Sequence, residues 1–148
     1  SNASNMAGIA FNIGGLGMVH SMAHQLGGMF HIPHGLACAL CLTTGILYNS
    51  QEASVAAKYA DLAYRVGIVP RTAAVSTAVQ ALCAVIKAFM HDMSMPTRIG
   101  ELKQAVSRSD YEAVIPQMAA NAMEDRCLPG NPVAVTQEMF ETLFKALY

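Results

Sequence analysis

The stretch Phe11–Asn49, FNIGGLGMVHSMAHQLGGMFHIPHGLACALCLTTGILYN, decides how this chain of 148 residues can fold. It contains no Asp, Glu, Lys or Arg, and the first charged side chain of the chain is Glu52. Four of the five histidines lie in it within fifteen consecutive positions: His20, His24, His31 and His34. Because the stretch has no charge to keep in water, we expect it to be buried.

Buried histidines need polar partners, because an unsatisfied polar group away from water costs about 1–3 kcal/mol. His20 and His24 are four residues apart, so on a helix they lie on one face about a turn apart. A turn after Gly27 and Gly28, which should end that helix, would let His34 on the next helix meet them. A metal ion would explain this arrangement. Hydrogen-bonded core histidines are the alternative, since a His-x-x-x-His pair also occurs by chance.

Hydrophobic periodicity predicts helices along the whole chain and no β-strand. The glycines at positions 14, 15 and 17 should bend or loosen the first helix. A capping box at Ser109 should start a later helix, which Pro116 should divide or kink. The expected helices are Ser4–Leu26, His34–Asn49 (starting there or at Pro33), Gln51–Val66, Thr72–His91, Ser109–Met123 and Thr136–Leu147, with a short turn at Ile99–Ala105. The fold class is therefore all-α, one domain of about seven helices.

The third and fourth of these helices are amphipathic. Gly67 should cap the third. The predicted apolar face of the third helix consists of Val55, Tyr59, Leu62, Ala63 and Val66. The predicted apolar face of the fourth helix consists of Val75, Val79, Leu82, Cys83, Ile86 and Phe89. In the second helix the core candidates are Leu36, Leu40, Ile46 and Leu47.

Composition excludes several classes of partner. Nine basic against ten acidic side chains provide no electrostatic footprint for nucleic acid or for an anionic membrane. Hydrophobic content of 53% is high, but glycines, histidines and polar side chains interrupt every window long enough for a membrane span. A missing partner surface explains this apolarity better. We therefore predict no nucleic-acid and no membrane partner.

Four cysteines occur without a secretory signal, which favours a reducing, cytoplasmic compartment: Cys38, Cys41, Cys83 and Cys127. Cys38 and Cys41 form a C-x-x-C pair that could suggest a redox or zinc site. They stand within LACALCL, on a helix expected to be buried, so core filling is the favoured interpretation.

The segment GLGMVHSMAHQLGGMFHIPHG resembles the signature of the iron-containing (group III) alcohol dehydrogenases. The likeness continues through YADLAYRVGI, MPTRIGELK and CLPGNPVAVTQEMFETLFKALY. The resemblance implies that His20 and His34 are metal ligands and that His24 lies beside the substrate and the nicotinamide. It also implies that Phe11 and Cys127 line the substrate pocket. An Asp and a third His would come from upstream of this sequence.

Only the helical C-terminal domain of that family matches, at residues 4–148, and residues 1–3 look like a remnant of an expression tag. By resemblance, the whole protein interconverts an alcohol and an aldehyde or ketone by hydride transfer. Fe(II), with Zn(II) as the alternative, polarises the substrate oxygen. NAD or NADP is bound mainly by the missing N-terminal domain, and no cofactor-binding residue is assigned here. We expect a homo-oligomer and an isolated domain without activity.

Three alternatives stay open: a zinc-dependent glycerol dehydrogenase, a dehydroquinate synthase-like enzyme, and a non-catalytic helical interaction module. The first two would also place two histidines on a metal. Val133 departs from the resembling family, which often has arginine after the Asn-Pro pair. His31, in the turn near the proposed metal, could face substrate or solvent. His91 is expected to be a surface or capping residue.

Overall fold

A computed structural model describes residues 2–103 and 106–148 of the chain. Within those ranges there are seven α-helices and no β-strand, which confirms the all-α prediction. The helices are α1 (Asn2–Gly14), α2 (Met18–Phe30), α3 (His34–Asn49), α4 (Ala53–Arg65), α5 (Val75–Asp92), α6 (Arg108–Met123) and α7 (Gln137–Lys145). Single turns of 3₁₀ helix lie at Ile99–Glu101 and Leu128–Gly130. Ser1 of the tag prediction, and Gln104 and Ala105 of the turn prediction, lie outside the described residues.

The first predicted helix is two helices. The chain breaks between α1 and α2, whose axes differ by 110°. Gly15 has φ +80°, a left-handed conformation that favours glycine. The expectation that Gly27 and Gly28 end α2 is wrong, because α2 runs through both to Phe30. Buried side chains such as Leu26 hold this turn in place and offset the helix cost of about 1 kcal/mol per glycine.

The main core surrounds α2. Helix α2 packs against α3 and α6, and α7 packs against α6. The largest side chains with almost no exposure in this core include Tyr111, Phe140, Phe144, Met18, Met22 and Leu26. Removing each such apolar side chain from water contributes about 1.5–3 kcal/mol. The helix that carries the histidine pair is therefore anchored in the main core.

A second, smaller core joins α4 and α5. The predicted apolar face of α4 is wrong in part, since Leu62 is 47% and Val66 60% exposed. Ala63 is buried as predicted, and the other buried residues of α4 are the alanines Ala56 and Ala60, which the prediction left out. Small side chains let two helices approach closely, and here that close approach outweighs the larger apolar area of Leu62 and Val66. Gly67, with φ +75°, ends α4 as predicted, and Ile68 N–H donates to Ala63 O (2.9 Å).

The second and fourth predicted helices are also corrected at single positions. Val79, Leu82 and Cys83 of α5 are buried as expected, whereas Val75 and Phe89 are exposed. In α3, Leu40 and Ile46 are buried, Leu36 is half-buried, and Leu47 is exposed. The errors fall on positions at the margin of each apolar stripe, where the neighbouring helix does not reach.

Helix capping places α6 two residues earlier than expected. Ser107, not Ser109, is the cap, and its Oγ accepts a hydrogen bond from Asp110 N–H (3.1 Å). Pro116 lies on the exposed side within α6 and does not divide it. Thr136 caps α7 as predicted, with its Oγ1 accepting from Met139 N–H (3.3 Å).

Helix α1 differs from the other helices in having no buried residue. Its apolar side chains Met6, Ile9 and Ile13 are exposed, Ile13 to 83%. Among the described residues, no single helix is long and apolar enough to cross a membrane. The bent pair of α1 and α2 meets the length and composition criteria only when the two are taken together.

Candidate active site

Three imidazoles meet at the junction of α2 and α3. His20 and His24 lie one turn apart on α2, and His34 is the first residue of α3. The ring centroids of His20 and His34 are 5.4 Å apart, those of His24 and His34 5.6 Å, and those of His20 and His24 6.1 Å. The structure therefore brings together the three histidines that the sequence singled out.

The turn between the two helices produces this convergence. His31 ends α2 in the left-handed conformation (φ 53°), and Ile32 is buried beneath the turn. Pro33 then supplies the first carbonyl of α3, which accepts from Ala37 N–H (2.9 Å). Gly45 of α3 lies against Val19 of α2, and a Cβ at that position would overlap the valine side chain. The two helices are thus packed closely enough for His34 to reach the α2 pair.

His20 is suited to be a neutral ligand. Burial lowers its pKa from the usual value, and the nearby His34 and His24 lower it further, because they disfavour another positive charge. Metal ions bind the unprotonated imidazole nitrogen, a donor that fits iron and zinc alike. The residues present therefore fit a divalent metal.

Cys38 is a neighbour that the sequence interpretation assigned to the core. It is half-buried, and its Sγ lies 3.6 Å from His34 Nε2. Candidate ligand atoms of His20, His34 and Cys38 all lie within 4.8 Å of one another. The four-residue spacing of His34 and Cys38 is the sequence signal that could have found it. Cys41 is a true core residue, where burial strongly raises the pKa of its thiol.

Asp125 is the second residue that sequence reasoning missed. Its Oδ2 lies 2.8 Å from His24 Nδ1, although 101 positions separate the two residues. Its Oδ1 accepts a hydrogen bond from Cys127 N–H (2.8 Å). Burial alone would raise the pKa of Asp125, but the hydrogen bonds from Cys127 and His24 outweigh it, so this pKa is lowered. An acid two residues before Cys127 was the available signal.

Phe11 and Cys127, the predicted substrate-side residues, line one cavity of about 300 Å³. The Phe11 ring centroid is 6.3 Å from that of His20. Cys127 also lies with His24 and Asp125 in a second group whose candidate ligand atoms are within 4.8 Å of one another. Every sequence-predicted site residue thus lies in one neighbourhood. Their roles stay predictions.

His31 and His91 are outside this cluster. Both lie on a larger cavity, about 720 Å³, between the α2–α3 turn and the segment after α5. The His31 side chain is exposed at the turn. His91 is an exposed residue near the end of α5, and its Nδ1 lies 3.7 Å from Asp92 Oδ1.

The first residue of the Asn131-Pro132 pair has a structural role. Its Oδ1 accepts from the backbone N–H of Met18 at the start of α2 (3.1 Å) and from Asn49 Nδ2 (3.1 Å). Its Nδ2 donates to Asn49 Oδ1 (2.8 Å). Gly130, next to it, lies so close to Leu16 that a Cβ would overlap the Leu16 carbonyl. These contacts fasten the loop that carries Asp125 and Cys127 to the helix that carries His20 and His24.

Comparison with known proteins identifies the family. The family model described as Fe-containing alcohol dehydrogenase family, C-terminal, matches residues 1–148. The chain belongs to this family. The resemblance stated from the sequence is thereby confirmed.

Relatives of this Fe-containing alcohol dehydrogenase chain are longer proteins. It is 42% identical over 146 residues to the 1-propanol dehydrogenase PduQ of Salmonella typhimurium, which covers 99% of this chain and 39% of that protein. It is 30% identical to the NADPH-dependent butanol dehydrogenase of Clostridium saccharobutylicum, covering 99% of this chain and 36% of that one. The chain therefore spans about two fifths of the length of these two relatives.

A solved structure shows the same helical fold. The alcohol dehydrogenase from Oenococcus oeni superposes with a TM-score of 0.81 at 30% sequence identity, over 96% of this chain and 35% of that chain. Likeness at this level supports the whole arrangement of helices.

Proposed function

We propose that this chain, over residues 4–148, is the metal-binding and substrate-side domain of an NAD(P)-linked alcohol dehydrogenase. The observation that carries the proposal is the meeting of His20, His24 and His34 beside a cavity lined by Phe11 and Cys127. The reaction interconverts an alcohol and an aldehyde or ketone. The names of the relatives support the alcohol and aldehyde class of substrate.

His20 and His34 would hold the metal with neutral ring nitrogens. When bound, Fe(II) or Zn(II) supplies a Lewis acid for the substrate oxygen. Catalytic metal sites usually hold the ion with three or more protein groups. Two histidines are therefore an incomplete set, and the upstream Asp and His of the parent protein would complete it. Cys38 Sγ, 3.6 Å from His34 Nε2, is a further sulfur atom beside the site, but burial raises the pKa of its thiol and so disfavours the thiolate form that binds metal.

His24 has a different part in the proposal. It is hydrogen-bonded to a carboxylate through Nδ1, so its other nitrogen can accept or return the proton of the reacting hydroxyl. Phe11 and Cys127 would bound the substrate on the other side of His20 and exclude water from it.

The N-terminal remainder of the parent protein would bind NAD or NADP and would cover the exposed apolar face of α1. The nicotinamide supplies the acceptor for the hydride. Without that remainder the chain alone should have no dehydrogenase activity. Four free cysteines fit a reducing, cytoplasmic compartment, which we propose as well.

Three histidine variants of the full-length parent enzyme test this assignment. His20→Ala and His34→Ala each remove a ligand, so bound metal, measured by elemental analysis, should fall strongly. His24→Ala should retain the metal while turnover falls by about 10²–10⁴-fold, the usual contribution of a general acid or base. The exposed His91→Ala is the matched control and should change neither quantity. Equal metal loss in all three cluster variants would show that His24 is a ligand.

The same metal analysis, followed by turnover assays, separates the alternative classes. Stoichiometric iron or zinc would exclude the non-catalytic interaction module, and turnover of an alcohol, of glycerol or of the dehydroquinate synthase substrate would then separate the three enzyme classes. A full-length protein that holds no metal after loading and oxidises no alcohol would instead be an interaction module.

A further inference from the structure

Asp125 is held by two hydrogen bonds of different origin. The backbone N–H of Cys127 occupies Oδ1, and the side chain of His24 occupies Oδ2, both at 2.8 Å. The Asp125 side chain is 11% exposed and the His24 side chain 37%. The backbone N–H of Cys127 fixes the orientation of the carboxylate, so Oδ2 is the oxygen that faces His24.

The protonation of the pair follows from these contacts. Cys127 N–H is a donor, and an ionised carboxylate can only accept, so the proton in the second hydrogen bond belongs to His24 Nδ1. The lowered pKa of Asp125 keeps the carboxylate ionised near neutrality. A neutral imidazole with its proton on Nδ1 has its lone pair on Nε2.

The loop that carries Asp125 is itself fixed relative to α2. Asn131 accepts from Met18 N–H at the start of that helix, and Gly130 packs on the backbone of Leu16. His24 lies less than two turns further along the same helix. The carboxylate and the imidazole are therefore positioned by a common framework.

We propose that Asp125 is a positioning residue that holds neutral His24 as the Nδ1–H tautomer and leaves Nε2 as its basic nitrogen. The consequence for catalysis rests on the proposed function. The substrate's proton would be exchanged at Nε2, and Asp125 would set the availability of that atom without touching the substrate.

Asp125→Asn reverses the hydrogen-bond pattern with almost no change of shape. The Asn oxygen must stay at the Oδ1 position, because Cys127 N–H needs an acceptor there. The amide nitrogen then replaces Oδ2 and donates to His24. Nδ1 must accept, and the proton of the imidazole moves to Nε2.

Imidazole ¹⁵N chemical shifts in the metal-free 148-residue chain measure this directly at one pH where His24 is neutral. We expect a protonated Nδ1 in the wild type and a protonated Nε2 in Asp125→Asn. Asp92→Asn is the matched control, because Asp92 contacts the exposed His91, and it should leave the His24 signals unchanged. A wild-type Nε2–H tautomer, or the same tautomer in both proteins, would overturn the proposal.

Turnover of the full-length enzyme supplies the second measurement. Asp125→Asn should lower kcat by about 10²-fold or more, with KM and metal content near wild type. An unchanged kcat despite a reversed tautomer would overturn the catalytic part. Failure of the wild-type enzyme to oxidise any alcohol would sink the proposed function instead, since the ¹⁵N measurement requires no activity.

Discussion

Helices α1 and α2 are alike in length and in lacking charge, but opposite in surroundings. Each has thirteen residues, and neither contains a charged side chain. Yet α1 has no buried residue, whereas α2 buries five: Met18, Ser21, Met22, Ala23 and Leu26. The difference shows that an apolar composition favours burial but does not ensure it. Whether a helix is buried within this chain depends on which other helices pack against it.

The largest expected effect comes from truncating one apolar side chain in each helix. Leu26→Ala opens a cavity in the main core and should lower the free energy of unfolding by about 2–5 kcal/mol. Ile13→Ala, at an 83% exposed position, should change it by less than about 0.5 kcal/mol. Urea unfolding followed by circular dichroism, at concentrations where the chain is monomeric, measures both. Equal losses would show that α1 is packed in solution.

A glycine pair gives the next largest contrast. Gly130→Ala places a methyl group against the Leu16 carbonyl, so the loop must shift, at an expected cost of about 1–3 kcal/mol. Gly8→Ala in α1 meets no atom within 4 Å and should be neutral or stabilise the helix by up to about 1 kcal/mol. Thermal unfolding of the two variants compares them. A stable Gly130→Ala protein would contradict the close approach that fastens the Asp125 loop to α2.

The smallest effect on stability, and the clearest on assembly, concerns the exposed face of α1. Met6, Ile9 and Ile13 lie at helical spacing on one side and are all exposed. Contiguous exposed apolar patches of several hundred Å² are unusual for monomers. Sedimentation should therefore show self-association of the chain, which the double substitution Ile9→Glu, Ile13→Glu should abolish.

The control for that experiment is Val66→Glu, which places the same charge at an exposed apolar residue of α4. It should leave the association unchanged. A strictly monomeric wild-type chain would show that α1 does not mediate contact between copies.

The sequence correctly predicted features that depend on contacts between residues close together in the chain. Thr136 and Gly67 terminate α7 and α4 as expected, because a cap is made within one turn of the chain. The spacing of His20, His24 and His34 was readable for a similar reason, since one helix and one turn bring the three together. Ser109 was the wrong cap because two serines compete for the same role and hydrogen bonding to Asp110 decides for Ser107.

Packing between distant segments could not be read in the same way. Hydropathy ranks Leu62 and Val66 above alanine, but the contact of α4 with α5 selects Ala56, Ala60 and Ala63 for their small size. The partner of His24 lies 101 positions away, and apart from its place two residues before Cys127 no local pattern distinguishes Asp125 from the other acids.

By itself, the sequence determined the helical class, the family and the cluster of three histidines, because periodicity, spacing and motif are properties of neighbouring residues. Only the tertiary structure decided that Asp125 faces His24 Nδ1, that Cys38 lies beside His34, and that Asn131 holds the start of α2. Each of these contacts joins atoms whose distance depends on how whole helices pack. The free energy that sets that packing comes from the shared core around α2, to which residues from α2, α3, α6 and α7 all contribute.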